Sequence, residues 1–312
     1  MKENIIPSKT IKENGSISIR NGIKNNPNNL IPSQRKPKWL KVNLQKKTDV
    51  LLNVTKIVQE ENLHTVCEEA LCPNIGECWG KGTATFMILG NICTRSCGFC
   101  SVATGRPLLV DFNEPKRVAE SIRLMKVKHA VITSVDRDDL KDGGAEIWAM
   151  TINEIRKANP TTTLETLIPD FKAKASQIQK IIDVAPEVVS HNLETVRRLT
   201  KQVRIQAQYD RSLETLKILH DGGMKTKSGI ILGLGETEEE IIATMHDLRN
   251  FGVSVFTMGQ YLQPSIKHLP VVEFIEPKQF QKLKEIGLEI GFRFVESGPL
   301  VRSSYHAEKH LF

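Results

Sequence analysis

Six short β-rich runs, each followed by a longer stretch with helical periodicity, constrain this chain more than any other feature. They are "TATFMILG", "HAVITSV", "TTTLETLI", "EVVSHNL", "SGIILGLG" and "VFTMGQYL". Strand then helix, repeated, makes the strands parallel neighbours in one sheet with helices packed outside. Two of the helices carry terminal signals. In "EEIIATMHDLRNFG", Ile241, Met245 and Leu248 share one face and Gly252 stands where a C-cap belongs. "PKQFQKLKEIGLEIG" has Pro277 in its first turn and stops at Gly291. Six units fall short of the eight of a closed barrel. The expected fold is therefore α/β, a partial (β/α)6 TIM-like barrel with N-terminal and C-terminal extensions.

A chain of 312 residues, 40% of them hydrophobic, can bury the core such a barrel needs. No apolar run reaches the length of a membrane span, and the start lacks the apolar stretch of a secretory signal. The expected location is the cytoplasm, with an organellar matrix as the alternative because the first segment is basic and contains serine. The net charge of +7 is mostly local: residues 1–40 hold eight Lys or Arg against two Asp or Glu. Residues 1–36 thus read as a flexible basic arm. The nearly neutral remainder has no basic stripe with interleaved aromatics, so neither nucleic acid nor membrane is an expected partner.

Six cysteines fall into two groups of three. Cys93, Cys97 and Cys100, spaced C-x3-C-x2-C, follow the first β-rich run at its carboxyl end, where parallel α/β folds place their active sites. Cys67, Cys72 and Cys78 precede it as C-x4-C-x5-C, interrupted by Pro73 and Gly76. Closed structural zinc sites take four ligands. Three thiolates on a four-iron cubane leave one iron open. A zinc loop completed by a distant ligand remains the alternative for the first group; for the six together, one four-ligand site with two spares is the alternative to two cubanes.

The ordered set "PNIGECW", "TFMILG", "CTRSCGFC", "VITSVDRDDL", "DGGA", "HNLETV", "LGLGET", "GQYLQPS", "HLPV" and "RSSY" resembles the lipoyl synthase family of radical S-adenosylmethionine enzymes. The likeness runs from Pro37 to Ala307, with departures at "GRPLLVDFNEP" and "RIQAQY". It implies two 4Fe-4S clusters. One is held by Cys93, Cys97 and Cys100, with S-adenosylmethionine on its open iron. The other, an auxiliary cluster, is held by Cys67, Cys72, Cys78 and Ser304 of "RSSY", and donates sulfur. The implied reaction is radical insertion of two sulfur atoms at C6 and C8 of a protein-bound octanoyl-lysine, spending two S-adenosylmethionines. Cys93, Cys97, Cys100 and Ser304 are the implied catalytic residues. The implied partners are an octanoylated lipoyl-carrier domain or H protein, an external donor of flavodoxin or ferredoxin type, and an iron–sulfur assembly carrier.

The resemblance also divides the chain into the arm 1–36, an auxiliary-cluster extension 37–82, the barrel 83–275 and a closing segment 276–312. Asn192, Glu194 and Arg204 are candidates for binding S-adenosylmethionine, or alternatively cap a helix. Ser134 and Asp136 are either cofactor contacts or turn formers. His64, His129, His191 and His268 lack ligand spacing and read as hydrogen-bonded structural residues. A methylthiotransferase-like relative and a non-catalytic iron–sulfur electron carrier are the competing functions.

Overall fold

The computed structural model describes residues 35–40, 74–80, 82–265 and 268–311, together with the short strands Lys9–Ile11, Ile17–Ile19 and His64–Thr65. Seven strands form one parallel sheet in chain order: β1 (Thr83–Ile88), β2 (His129–Ser134), β3 (Thr163–Leu167), β4 (Val188–Ser190), β5 (Thr226–Leu232), β6 (Val255–Gln260) and β7 (Phe294–Gly298). Helices α1 (Glu114–Leu124), α2 (Ala145–Ala158), α3 (Ala175–Asp183), α4 (Tyr209–Asp221), α5 (Glu238–Asn250) and α6 (Pro277–Ile290) each follow a strand. Sequential order with one crossover helix per strand is the winding of a barrel. Here it stays open: β7 ends one side, and beyond β1 the sheet ends on the antiparallel pair His64–Thr65.

The six expected strands and the caps at Gly252 and Gly291 are present, both glycines in left-handed backbone at φ 81° and 103°. The seventh strand, from "RFVESG", lacks the apolar alternation that marks the others, and pairing with β6 decides it. The described parts of the basic arm are paired: Lys9–Ile11 with Ile17–Ile19, and the latter with Ala103–Gly105, which pairs in turn with Ile92–Cys93. No helix among the described residues is long and apolar enough to cross a membrane.

Alternation along the strands sorts residues by chemistry. Ala130 and Ile132 of β2, Leu164 of β3, Ile230 and Leu232 of β5, and Phe256 and Met258 of β6 belong to the apolar core under the helices. Their alternates, His129, Glu165, Lys227 and Thr257, are buried polar residues on the opposite, inner face. Barrel interiors are more often filled by branched apolar side chains. Here Lys227 Nζ lies 2.8 and 2.9 Å from the Glu165 carboxylate oxygens, and Ser190 Oγ donates to Glu165 at 2.9 Å. Burial opposes ionisation of Glu165, but the Lys227 charge and the hydrogen bonds from Lys227 outweigh it and bring its pKa to about 2.

Replacing Lys227 with methionine strands a buried carboxylate and is expected to cost about 3–5 kcal/mol in denaturant unfolding. The depressed Glu165 pKa contributes stability above its ordinary value of 4.5, lost as pH falls toward about 2. In Lys227→Met that acid-side loss should shrink.

Candidate active site

The chain leaves β1 through Leu89 and Gly90, both at positive φ, 67° and 85°. Their backbone N–H groups donate to the Glu114 carboxylate at 2.7 and 3.2 Å, which closes the turn and launches the cysteine loop. The loop is then clamped along its length. Ser96 N–H donates to Gln206 Oε1 at 3.2 Å and Gly98 N–H to Val203 O at 2.8 Å. Leu269 N–H donates to Gly98 O at 3.1 Å, and the Cys100 carbonyl lies 3.1 Å from His268 Nε2. A Cβ on Gly98 would stand 2.8 Å from Leu269 Cδ1 and Cγ, so glycine is what this close approach admits.

Arg95, in the middle of the loop, is buried among carboxylates. Its guanidinium donates to Asp138 at 2.7 and 3.0 Å and to Asp170 at 2.7 Å, and faces Asp136 at 3.2 Å. Arg211 Nε donates to the other oxygen of Asp170 at 2.8 Å. Asp138 and Asp170 had no role in the sequence reading. "DRDD" advertises charge, but nothing local to Asp170 signals that it meets a residue 75 positions away.

The cysteine thiols are costly to ionise unaided. Burial, with Asp136 adding to it, pushes Cys93 up to about 12, although the Arg95 and Asp136 N–H groups donate to its Sγ at 3.4 and 3.3 Å. Burial likewise pushes Cys97 and Cys100 up to about 12. Arg204 favours the Cys97 thiolate, while Asp136 and Glu194 oppose it. The loops after β2 and β4 meet the cysteine loop directly: Thr94 N–H donates to Asp136 O at 3.0 Å, and Val203, which accepts from Gly98, precedes Arg204. Burial lifts Asp136 to about 6 against the pull of Arg95. Burial also raises Glu194, which sits at φ 64° and accepts from Asn192 Nδ2 at 3.0 Å. Arg204 Nη1 donates to Leu193 O at 3.0 Å and Ser212 Oγ at 3.3 Å. Ser134, at the end of β2, accepts from Trp148 Nε1 at 3.3 Å.

These residues fit an iron–sulfur cluster with a polar ligand beside it. Buried thiols that resist ionisation are suited to a cation that makes thiolate the favoured form. Among the described residues no three His, Cys, Asp or Glu groups gather round a point as a single metal ion would require; a cubane takes each thiolate at a separate iron. Asn192 Oδ1 is buried without a hydrogen-bond partner. It faces Gly229 on β5, where an added Cβ would stand 3.3 Å from it and 2.3 Å from Thr257 Oγ1.

The second cysteine group is described only in part: Cys67 and Cys72 lie outside the described residues. Cys78 sits on the short helix Ile75–Gly80. The "RSSY" segment packs there, Tyr305 Oη donating to Glu77 Oε2 at 3.3 Å. Burial and the nearby Glu77 and Cys78 push the Tyr305 phenol up to about 12. Ser304 is thus one residue from a side chain bonded to Glu77, the neighbour of Cys78. His191, bonded to Ile168 O and Ser212 Oγ, and His268, bonded to Ser265, are hydrogen-bonded as expected. His129 meets Thr163 Oγ1 through Nδ1 while its Nε2 has no partner, and the His64 side chain lies outside the described residues.

The Radical SAM superfamily matches residues 87–248, the span from β1 to α5, and the chain belongs to it. Solved structures agree at the level of fold. HydG, a maturase of the FeFe-hydrogenase, aligns with TM-score 0.55 at 16% identity over 85% of this chain and 72% of that one. Methylornithine synthase PylB aligns with TM-score 0.52 at 11% identity over 78% and 82%. Sequence relatives are much nearer. The mitochondrial lipoyl synthase of Nematostella vectensis is 63% identical over 281 residues, 90% of this chain and 96% of that one. The lipoyl synthase of Christiangramia forsetii is 65% identical over 279 residues, 88% and 94%. Within the superfamily, this chain belongs to the lipoyl synthase family, enzymes of the sulfur-inserting radical class, and a 4Fe-4S cluster and S-adenosylmethionine come with that membership.

Gly98→Ala is expected to destabilise the protein by about 1–3 kcal/mol through overpacking against Leu269. Combined with Leu269→Ala it should cost less than the two changes separately, and a double-mutant cycle by denaturant unfolding measures the difference.

Proposed function

We propose that this chain inserts sulfur at C6 and C8 of an octanoyl group carried on a lysine of a lipoyl-carrier domain or H protein, with a second 4Fe-4S cluster as the sulfur source. The observation that carries the reading is the meeting of the three-cysteine loop, at the carboxyl end of β1, with the loops after β2 and β4: Thr94 N–H donates to Asp136 O at 3.0 Å, and Gly98 N–H to Val203 O, next to Arg204, at 2.8 Å. The relatives' shared name supplies the reaction class.

In this reading Cys93, Cys97 and Cys100 hold the cluster that takes S-adenosylmethionine. Cys67, Cys72, Cys78 and Ser304 hold the auxiliary one. Bound there, the groups would supply an electron to split a sulfonium, a radical able to take hydrogen from an unactivated methylene, and the sulfide to be transferred. The protein's own part is to bind and exclude water. Arg204, buried and next to Val203, whose carbonyl accepts from Gly98 of the cysteine loop, is the cation for the cofactor carboxylate. Glu194 and the orphaned Asn192 Oδ1 accept from its amino or ribose groups, and Gly229 leaves room for a flat ring close to β5. Ser134 and Asp136 stand on the β2 side of the same site. Ser304 offers iron an oxygen, poorly matched to a soft metal and so readily released.

The division into arm 1–36, extension 37–82, barrel 83–275 and closing segment 276–312 belongs to this reading, with the sheet itself continuing to Gly298. So do an external flavodoxin- or ferredoxin-type reductant, an iron–sulfur assembly carrier and a cytoplasmic location.

Incubated anaerobically with reductant, S-adenosylmethionine and an octanoyl-lysine peptide, reconstituted protein should add two sulfur atoms, each C–H becoming C–SH, by mass spectrometry. A methylthio addition, or no addition, would overturn the assignment. Cys78→Ala should still cleave S-adenosylmethionine yet add no sulfur, whereas Cys97→Ala should do neither.

A further inference from the structure

The segment that carries Ser304 reaches the barrel interior at His310. His310 is fully buried, its Nδ1 3.2 Å from Lys227 Nζ, the same ammonium that is bound to Glu165. Because the ammonium can only donate, Nδ1 is the acceptor in this contact. The ring also lies 5.8 Å from that of Phe294 at the start of β7. From there back to Ser304 the chain is a run of tight turns: Lys309 N–H to His306 O at 3.0 Å, Ala307 N–H to Ser304 O at 3.4 Å and Tyr305 N–H to Arg302 O at 2.9 Å.

The run is tied at its sides as well. Thr83 Oγ1, at the start of β1, donates to Glu308 Oε2 at 3.3 Å. Asn74 Nδ2, beside the Cys78 helix, donates to Leu300 O at 2.8 Å. The Val301 carbonyl passes so close to Gly259 that a Cβ there would stand 2.1 Å from it. The segment therefore spans the open side of the sheet, from the end of β6 across β1 and β7 to the interior pair.

We propose that His310 is a positioning residue for Ser304: by accepting from Lys227 inside the barrel, it fixes the 302–310 segment and so holds Ser304 next to Tyr305, whose hydroxyl reaches Glu77 of the Cys78 helix. The proposal rests on the reading that Ser304 closes the auxiliary cluster. A hydroxyl is a weak ligand for iron, so little of the cost of ordering a chain end can come from the ligand bond itself. The order has to be built in, and a buried acceptor on a buried ammonium builds it in with direction as well as volume. An apolar side chain would fill the same space without that direction.

The test reads iron and acid-labile sulfide in full-length protein reconstituted anaerobically with ferrous iron and sulfide. It also reads the electron paramagnetic resonance of the reduced protein with and without S-adenosylmethionine. Wild-type chain should hold about eight irons, as two four-iron clusters. His310→Leu should hold about half as much while keeping the signal that responds to S-adenosylmethionine. His310→Asn, whose amide oxygen can take the Lys227 proton, should stay near wild type. If His310→Leu does not fold, Glu165→Leu combined with Lys227→Met keeps the interior filled, removes the donor and should show the same halving. Full iron in the variants that lack the contact would overturn the proposal, as would equal loss in His310→Leu and His310→Asn. Only four irons in wild-type protein would instead sink the two-cluster reading, whatever the variants do.

Discussion

A guanidinium buried in the bend of a three-cysteine loop organises the working end of this barrel. Arg95 gathers Asp136 and Asp138 from the loop after β2 and Asp170 from the loop after β3. Arg211 and Lys172 add positive charge on the far sides of Asp170 and Asp138. Balanced buried charges of this kind add little net stability over an apolar core, but breaking one is expensive. Their effect here is therefore specificity of placement: the ends of β2 and β3 are brought to the short segment that follows β1, which carries Cys93, Cys97 and Cys100.

The same logic extends along the barrel axis. Most buried apolar residues of the strands point outward to the helices, where the burial of hydrocarbon holds the shell together. The inner face carries His129, Glu165, Ser190, Lys227 and Thr257 beside Val131, Val188 and Val255. A buried lysine and glutamate satisfy each other, and the pair offers a fixed point to which a chain end can attach. One end of the interior is thus a structural anchor. The other, near Asn192, Gly229 and Glu194, has one orphaned acceptor, Asn192 Oδ1, beside a strand position without side-chain volume.

Much of this was legible in the chain. The strand–helix alternation, the stop at Gly291 and the cysteine loop at the end of β1 rest on signals within a few residues of one another, and local physics suffices for them. What escaped reading depends on distant partners. Phe294–Gly298 is a strand because β6 offers it a ladder. His268 was read as structural, but its hydrogen-bond contact with the Cys100 carbonyl, 168 residues away, was out of sight. Nothing beside His310 in the sequence hints at Lys227, 83 residues away.

By itself the sequence determined the period of the fold, the two groups of thiols and the family they belong to, because spacing, cap residues and motif order are properties of a line of residues. Only the tertiary structure decided which carboxylates face Arg95, which strand alternates face inward, and how Cys78 comes to lie near Tyr305. Those facts depend on charges and hydrogen bonds satisfied across tens to hundreds of residues, and such contacts exist only once the sheet has brought their partners together.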